Sequence, residues 1–243
     1  MIQNYKLIIS YDGTDYHGWQ RQPKKRTIQG LIEENLGKIT QKKMTVIGAG
    51  RTDAGVHAQG QVANFKGNIT LKEEELIRAL NSLLPGDIKV VLLEKTEANF
   101  HARKMAKSKI YQYRIFNSSD IPPFLHRYVL YWPANLDIET MKKAASLFVR
   151  ETDFSAFSSN RLLNPVRKII SSQIEKKGKE IIYTVEASGF LRYMVRTMVG
   201  TLIEVGKGTL VPENIEEIFE KKNRSLAGAT APAKGLCLIK VIY

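Results

Sequence analysis

The chain has 243 residues, 43% of them hydrophobic and 25% charged, which is enough apolar material for a sizeable core and too much for disorder. Lysine and arginine number 37 against 24 aspartates and glutamates, and the net charge of +13 points to a polyanionic partner. No apolar run approaches the roughly 18 residues of a membrane span, and the start Met1-Ile2-Gln3-Asn4-Tyr5-Lys6 lacks a basic stretch leading into a long apolar one, so a soluble, cytoplasmic protein with no membrane partner is expected. The single cysteine, Cys237, sits in the apolar run Gly235-Leu236-Cys237-Leu238-Ile239 and reads as a small core residue. His17, His57, His101 and His126 are far apart with no second cysteine beside them, so no metal site is expected.

In chain order, Tyr5 to Tyr11 alternates apolar and polar residues at a period of two and predicts a strand. Ile28, Leu31, Ile32 and Leu36 recur at helical spacing. Gln61 to Phe65, Ile88 to Leu93 and Ile110 to Phe116 read as further strands, and Thr70-Leu71-Lys72-Glu73 as a capping box opening a helix with Leu76, Ile77, Leu80 and Leu84 on one side. The second half repeats this grammar. A helix carries Met141, Ala144, Ala145 and Phe148; strands follow near Val166 to Ile174 and Glu180 to Glu186, with Lys176-Lys177-Gly178 as the turn between them. A long helix is expected from about Phe190 to Val205, then a short one after Pro212 with Ile215, Ile218 and Phe219, and a last strand over Gly235 to Tyr243.

Hairpins mixed with helices place the chain in the α+β class rather than among doubly wound parallel sheets. Polar turn formers and a proline pair at Asn117-Ser118-Ser119-Asp120-Ile121-Pro122-Pro123 suggest a joint, dividing the chain into residues 1–118 and 119–243 as two halves of one unit. Two pseudo-symmetric halves meeting along a sheet would leave a basic cleft at the join, where an extended anion can lie.

The positive charge is concentrated. Ala98 to Arg114 holds Arg103, Lys104, Lys107, Lys109 and Arg114 with no acid among them, and it also carries Tyr111 and Tyr113, two apart and so on one face of a strand. Cations there can neutralise phosphates while the rings stack on nucleobases; the alternative is a solvated edge with tyrosines in the core. A second cluster, Arg21-Gln22-Pro23-Lys24-Lys25-Arg26, follows Asp12 to Gln20, a stretch too polar and Gly-rich for a strand that reads as a surface loop able to touch RNA. The candidate RNA contacts are therefore Arg21, Lys24, Lys25, Arg26, Arg103, Lys107 and Lys109.

The most chemically suggestive segment is Gly48-Ala49-Gly50-Arg51-Thr52-Asp53-Ala54-Gly55-Val56-His57-Ala58. It is neither a dinucleotide fingerprint, because Asp53 holds the place of the third glycine, nor a Walker loop, because no Gly-Lys-Ser or Gly-Lys-Thr follows, so no nucleotide cofactor is expected. Asp53 then reads either as an Asx-turn or helix cap, or as a catalytic carboxylate, and the second reading needs a cationic partner. Arg192 and Arg196, four apart on the expected long helix, lie at the margin of its apolar face; Arg196 is either that partner or a snorkelling flank residue.

Taken end to end, the chain resembles the TruA family of tRNA pseudouridine synthases. The likeness is carried by Tyr11-Asp12-Gly13-Thr14 to Gly18-Trp19-Gln20, by Gly50-Arg51-Thr52-Asp53-Ala54-Gly55-Val56-His57-Ala58, and by Phe100-His101-Ala102-Arg103 leading to Tyr111-Gln112-Tyr113. Asp153 to Phe157, Pro165-Val166-Arg167, Met194-Val195-Arg196 with Val199-Gly200, and Ala231 to Leu236 continue it. The resemblance implies two ferredoxin- or RRM-like halves sharing an extended, mainly antiparallel sheet with helices packed on it. It implies an isomerase that breaks the N1 to C1′ bond of uridine at tRNA positions 38 to 40 and rejoins the base through C5, as a homodimer, with no cofactor. Asp53 matches the family's catalytic aspartate, Tyr111 its active-site tyrosine, Arg196 the basic residue paired with the aspartate, and Arg51 the residue expected to displace and hold the flipped nucleotide. A carboxylate can attack C1′ or C6, or deprotonate the sugar at C2′. The chain departs from many members, which carry His or Asn there, in having Arg192-Tyr193 before Met194. A non-enzymatic RNA-binding protein, and a synthase acting on ribosomal RNA, are the competing readings.

Overall fold

A computed structural model describes residues 2–159 and 164–243. In chain order its elements are β1 (Gln3–Tyr11), α1 (Ile28–Thr40), β2 (Ile47–Gly48), β3 (His57–Gly67), α2 (Glu73–Leu83), β4 (Ile88–Thr96), β5 (Ser108–Asn117), β6 (Leu130–Trp132), α3 (Ile138–Ser146), β7 (Glu151–Asp153), β8 (Val166–Lys177), β9 (Glu180–Ala187), α4 (Met194–Gly206), α5 (Asn214–Lys221) and β10 (Leu236–Ile242). The class is α+β, with mixed but mainly antiparallel strand pairing and packed helices. Among the described residues no helix is long and apolar enough to cross a membrane. By contact the chain divides into two compact units, Met1–Lys107 with Cys237–Tyr243, and Ser108–Leu236. Strand β5 thus belongs to the second unit and the last strand returns to the first. Residues 118–122 form a loop within the second unit, because long-range strand pairing rather than local composition decides where contacts are dense.

The first unit runs β-α-β-β-α-β. Its strands lie in the order β4-β1-β3, with β2 antiparallel and β10 parallel, both on β3. Tyr5, Leu7, Ile9 and Tyr11 are buried while Lys6, Ile8 and Ser10 between them are only half-buried, as a period-two strand with one covered face requires. Helix α1 buries Ile28, Ile32 and Leu36, each contributing about 1.5–3 kcal/mol by area, and is capped by Thr27, whose hydroxyl accepts from Gly30 N–H at 3.3 Å. Helix α2 starts later than its expected cap at Thr70: the reciprocal bond is Lys72 N–H to the Glu75 carboxylate at 2.9 Å. Placing Glu73, Glu74 and Glu75 in the first turn suits the positive end of the helix dipole, which favours this later start.

In the second unit β5, β9, β8 and β7 pair antiparallel in that order, with β6 parallel on β5. Strand β8 continues through Lys177, so the hairpin turn is Gly178-Lys179 rather than Lys176 to Gly178. Phe148, Phe154, Phe157 and Phe219 form an aromatic core, with Phe154 and Phe219 edge-on at 5.1 Å. Helix α4 begins at Met194, not near Phe190, because Tyr193 has φ +64 and ends any helical path from the N-terminal side. Arg192 therefore lies outside the helix, and it shares no helical stripe with Arg196.

Candidate active site

Asp53 to Val56 forms a tight turn closed by Val56 N–H donating to Asp53 O at 3.1 Å. Gly55, third in the turn, has φ +78, the value a type II turn demands and a side chain resists. Immediately after it β3 begins, flanked on one side by β1 through Tyr11 opposite Ala58 and on the other by β10 through Cys237 opposite His57. The half-buried carboxylate thus stands on a short turn at the start of a central strand, with Arg51 and Ala54 exposed beside it.

A second segment clasps this turn. Trp19 N–H donates to Thr52 O at 3.1 Å and Gly55 N–H to Tyr16 O at 3.4 Å. The two backbones approach so closely that a Cβ on Gly18 would stand 2.5 Å from Thr52 O, and one on Gly13 would stand 2.0 Å from Val56 O. Underneath, the buried hydroxyls of Tyr11 and Thr52 share a hydrogen bond of 2.8 Å, and burial pushes the Tyr11 phenol well above its usual range. Gln61 holds the entry to the loop by donating to Gly50 O at 3.0 Å, and Gly13 N–H donates to His57 Nδ1 at 3.1 Å. The segment Asp12 to Gln20 is therefore more than the expected surface loop: Tyr16 is 3% exposed and Trp19 is 2% exposed. Two large aromatics in a polar, Gly-rich stretch were the sequence signal for that burial.

The second unit presents Tyr111 from the middle of β5, opposite Val185. It is 7% exposed and meets Phe190 edge-on at 5.1 Å. Tyr113, read from the sequence either as a second stacking ring or as a core tyrosine, is the latter: it is fully buried and its hydroxyl donates to Pro232 O at 2.8 Å. Burial raises the Tyr113 phenol, and the nearby charge of Arg196 opposes that rise. Arg196, in the first turn of α4, donates from Nε to Ala231 O at 2.7 Å, while Ala231 N–H returns a bond to Arg196 O at 3.0 Å. Its guanidinium lies 4.9 Å from the centre of the Tyr193 ring. The contacts of Phe190, Tyr193 and Ala231 carry no signal at the level of sequence pattern, since they depend on where α4 starts.

The basic candidates fall into two settings. Arg21, Lys24, Lys25 and Arg26 are exposed on the connection into α1; Arg21 pairs with the buried Glu33 at 2.8 Å, and Arg26 stacks on Tyr16 at 4.7 Å. Tyr16 in turn bonds to Asp87. Arg103 and Lys107 are exposed on the segment after β4, and Lys109 is half-buried on β5 in the second unit. The segment bearing Arg103 is pinned from inside by two buried asparagines. Asn4 donates to Glu97 O and Phe100 O, both at 2.9 Å, Asn64 donates to Asn4 at 3.2 Å, and Asn64 Oδ1 accepts Ala102 N–H at 2.9 Å.

The comparisons with known proteins run in the same direction as this geometry. A family model described as tRNA pseudouridine synthase matches residues 7–103 and 144–243. The chain is 47% identical to the tRNA pseudouridine synthase A of Thermodesulfovibrio yellowstonii, over 99% of both chains. It is 43% identical to tRNA pseudouridine synthase A 2 of Clostridium perfringens and 41% identical to the tRNA pseudouridine synthase A of Caldicellulosiruptor bescii, in each case over 100% of both chains. The chain belongs to the tRNA pseudouridine synthase family, a family of isomerases.

Proposed function

We propose that this protein isomerises uridine to pseudouridine in the anticodon stem-loop of tRNA, at positions 38 to 40, with Asp53 as the catalytic carboxylate. The observation that carries the reading is the Arg51 to Ala58 block, which sets one carboxylate on a clasped glycine turn within a full-length family match. The reaction breaks the N1 to C1′ bond, forms a C5 to C1′ bond and releases the C5 proton, so no electrons are exchanged and no redox cofactor is called for. Asp53 engages the nucleoside covalently or as a base and is released as the new bond is completed. Arg196 pairs with Asp53 and keeps it ionised, Tyr111 lies against the uracil, and Arg51 holds the flipped nucleotide out of its stack. Arg21, Lys24, Lys25, Arg26, Arg103, Lys107 and Lys109 contact the tRNA backbone.

The finer architecture that goes with this reading is a pair of pseudo-symmetric ferredoxin- or RRM-like halves sharing a sheet, with a basic cleft at the join, and a homodimer working in the cytoplasm. In favour of the ferredoxin-like half is the β-α-β-β-α-β order of the first unit, with β3 antiparallel to both β1 and β2. The deciding experiment is tritium release from tRNA labelled at uridine C5. Release by the wild type and none by Asp53→Asn is the expected result; release at the wild-type rate by Asp53→Asn overturns the reading.

A further inference from the structure

Resting on that assignment of Arg196, we infer that Tyr193 is a positioning residue that fixes the Arg196 guanidinium. Three observations converge on it. First, Tyr193 takes φ +64, a conformation that a bulky L side chain adopts only when its surroundings over-determine it. The position needs no ring for the helix to start, because Tyr193 makes no side-chain capping bond. Second, the ring spends its face on guanidinium groups: the Arg196 group lies 4.9 Å and the Arg192 group 4.8 Å from its centre. Arg192 also donates to the Tyr193 hydroxyl at 3.1 Å.

Third, a further constraint on Arg196 is directional. Its Nε donates to Ala231 O at 2.7 Å, which fixes one edge of the planar group. That bond by itself leaves the plane free to tilt about the Nε–H axis. A ring face against the guanidinium removes that freedom, so the carbonyl and the ring together set both the edge and the tilt of the fork. A carboxylate partner is read bidentately only when the fork is held in plane with it. The left-handed backbone at Tyr193 is the means by which a residue just ahead of α4 turns its ring toward a side chain three residues further on.

The test separates ring from backbone. Tyr193→Gly relieves the positive φ and removes the ring, whereas Tyr193→Phe keeps the ring and removes only the hydroxyl that Arg192 uses. We expect Tyr193→Gly to lower kcat for tritium release about tenfold with KM for tRNA within twofold and an undiminished Tm, and Tyr193→Phe to recover most of that loss. In an Arg196→Ala background, Tyr193→Gly should cost nothing more, since both act through the same guanidinium. Full kcat in Tyr193→Gly beside an inactive Arg196→Ala overturns this inference alone. Full activity in Arg196→Ala overturns the role given to Arg196 and this inference with it. A loss in Tyr193→Gly that adds independently to that of Arg196→Ala also overturns it.

Discussion

The Asp53 turn and the basic segment Arg21 to Arg26 both belong to the first unit and are built on opposite principles. Around Asp53 the loop is tied at several points: Thr52 O and Gly55 N–H are bonded to the clasping segment, the Thr52 hydroxyl to Tyr11, and Gly50 O to Gln61. Along Arg21 to Arg26 all six residues are exposed. The difference follows from what each is asked to do. A carboxylate that reacts must be held to a fraction of an ångström, and misplacement is felt exponentially. Cations that neutralise phosphates act through a summed, slowly varying field, so each contributes a little and none needs a fixed rotamer.

Substitutions can break that contrast in order of decreasing effect. Asp53→Asn, nearly the same shape without the charge, is expected to reduce tritium release by about a thousandfold or more while tRNA binding by filter retention persists. Gly18→Ala introduces a Cβ at φ +82, 2.5 Å from Thr52 O, and both the strain and the clash act on the turn beneath Asp53. A stability loss of about 2–4 kcal/mol in urea unfolding is expected, with kcat falling beyond what the folded fraction explains. Tyr11→Phe leaves the buried Thr52 hydroxyl short of a partner and should cost about 1–3 kcal/mol of stability by the same measurement. The exposed cations should behave in the opposite manner. Lys24→Ala, Lys25→Ala or Arg103→Ala should each raise KM for tRNA a few-fold, and reduce the slope of log affinity against log salt by about 0.7–0.9 for each phosphate left without its cation. A single one of these that removed turnover altogether would erase the distinction between the two regions.

The pinned segment Glu97 to Lys107 refines the contrast, because there exposed charge is carried on fixed backbone. Asn4 and Asn64 bond its carbonyls and amides from the core, and the Tyr243 hydroxyl donates to Ala102 O at 2.7 Å. Charge at Arg103 is thus carried on backbone tied to the core, while Lys24 and Lys25 are exposed on and beside a surface turn. Asn64→Leu should therefore weaken tRNA binding more than Lys25→Ala does, with kcat falling less than KM rises, as read from steady-state tritium release.

The sequence by itself determined the helices and the longer strands, because burial on one face writes a period of two or 3.6 directly into residue order, as in Tyr5, Leu7, Ile9, Tyr11 and in Ile28, Ile32, Leu36. It also singled out Asp53 and the block around it, since a carboxylate among glycines with a neighbouring arginine is a local pattern. Positions set by distant partners escaped it. Trp19 beneath the turn, Tyr113 in the core rather than on a stacking face, β2 lying on β3, and the return of the last strand to the first unit all depend on contacts between residues far apart in the chain. The start of α4 was decided in the same way. Helical periodicity runs unbroken through Phe190, Leu191 and Met194, and only the packed structure turns the backbone at Tyr193 to φ +64, leaving Arg192 outside the helix and bringing the Arg196 guanidinium to a tyrosine ring.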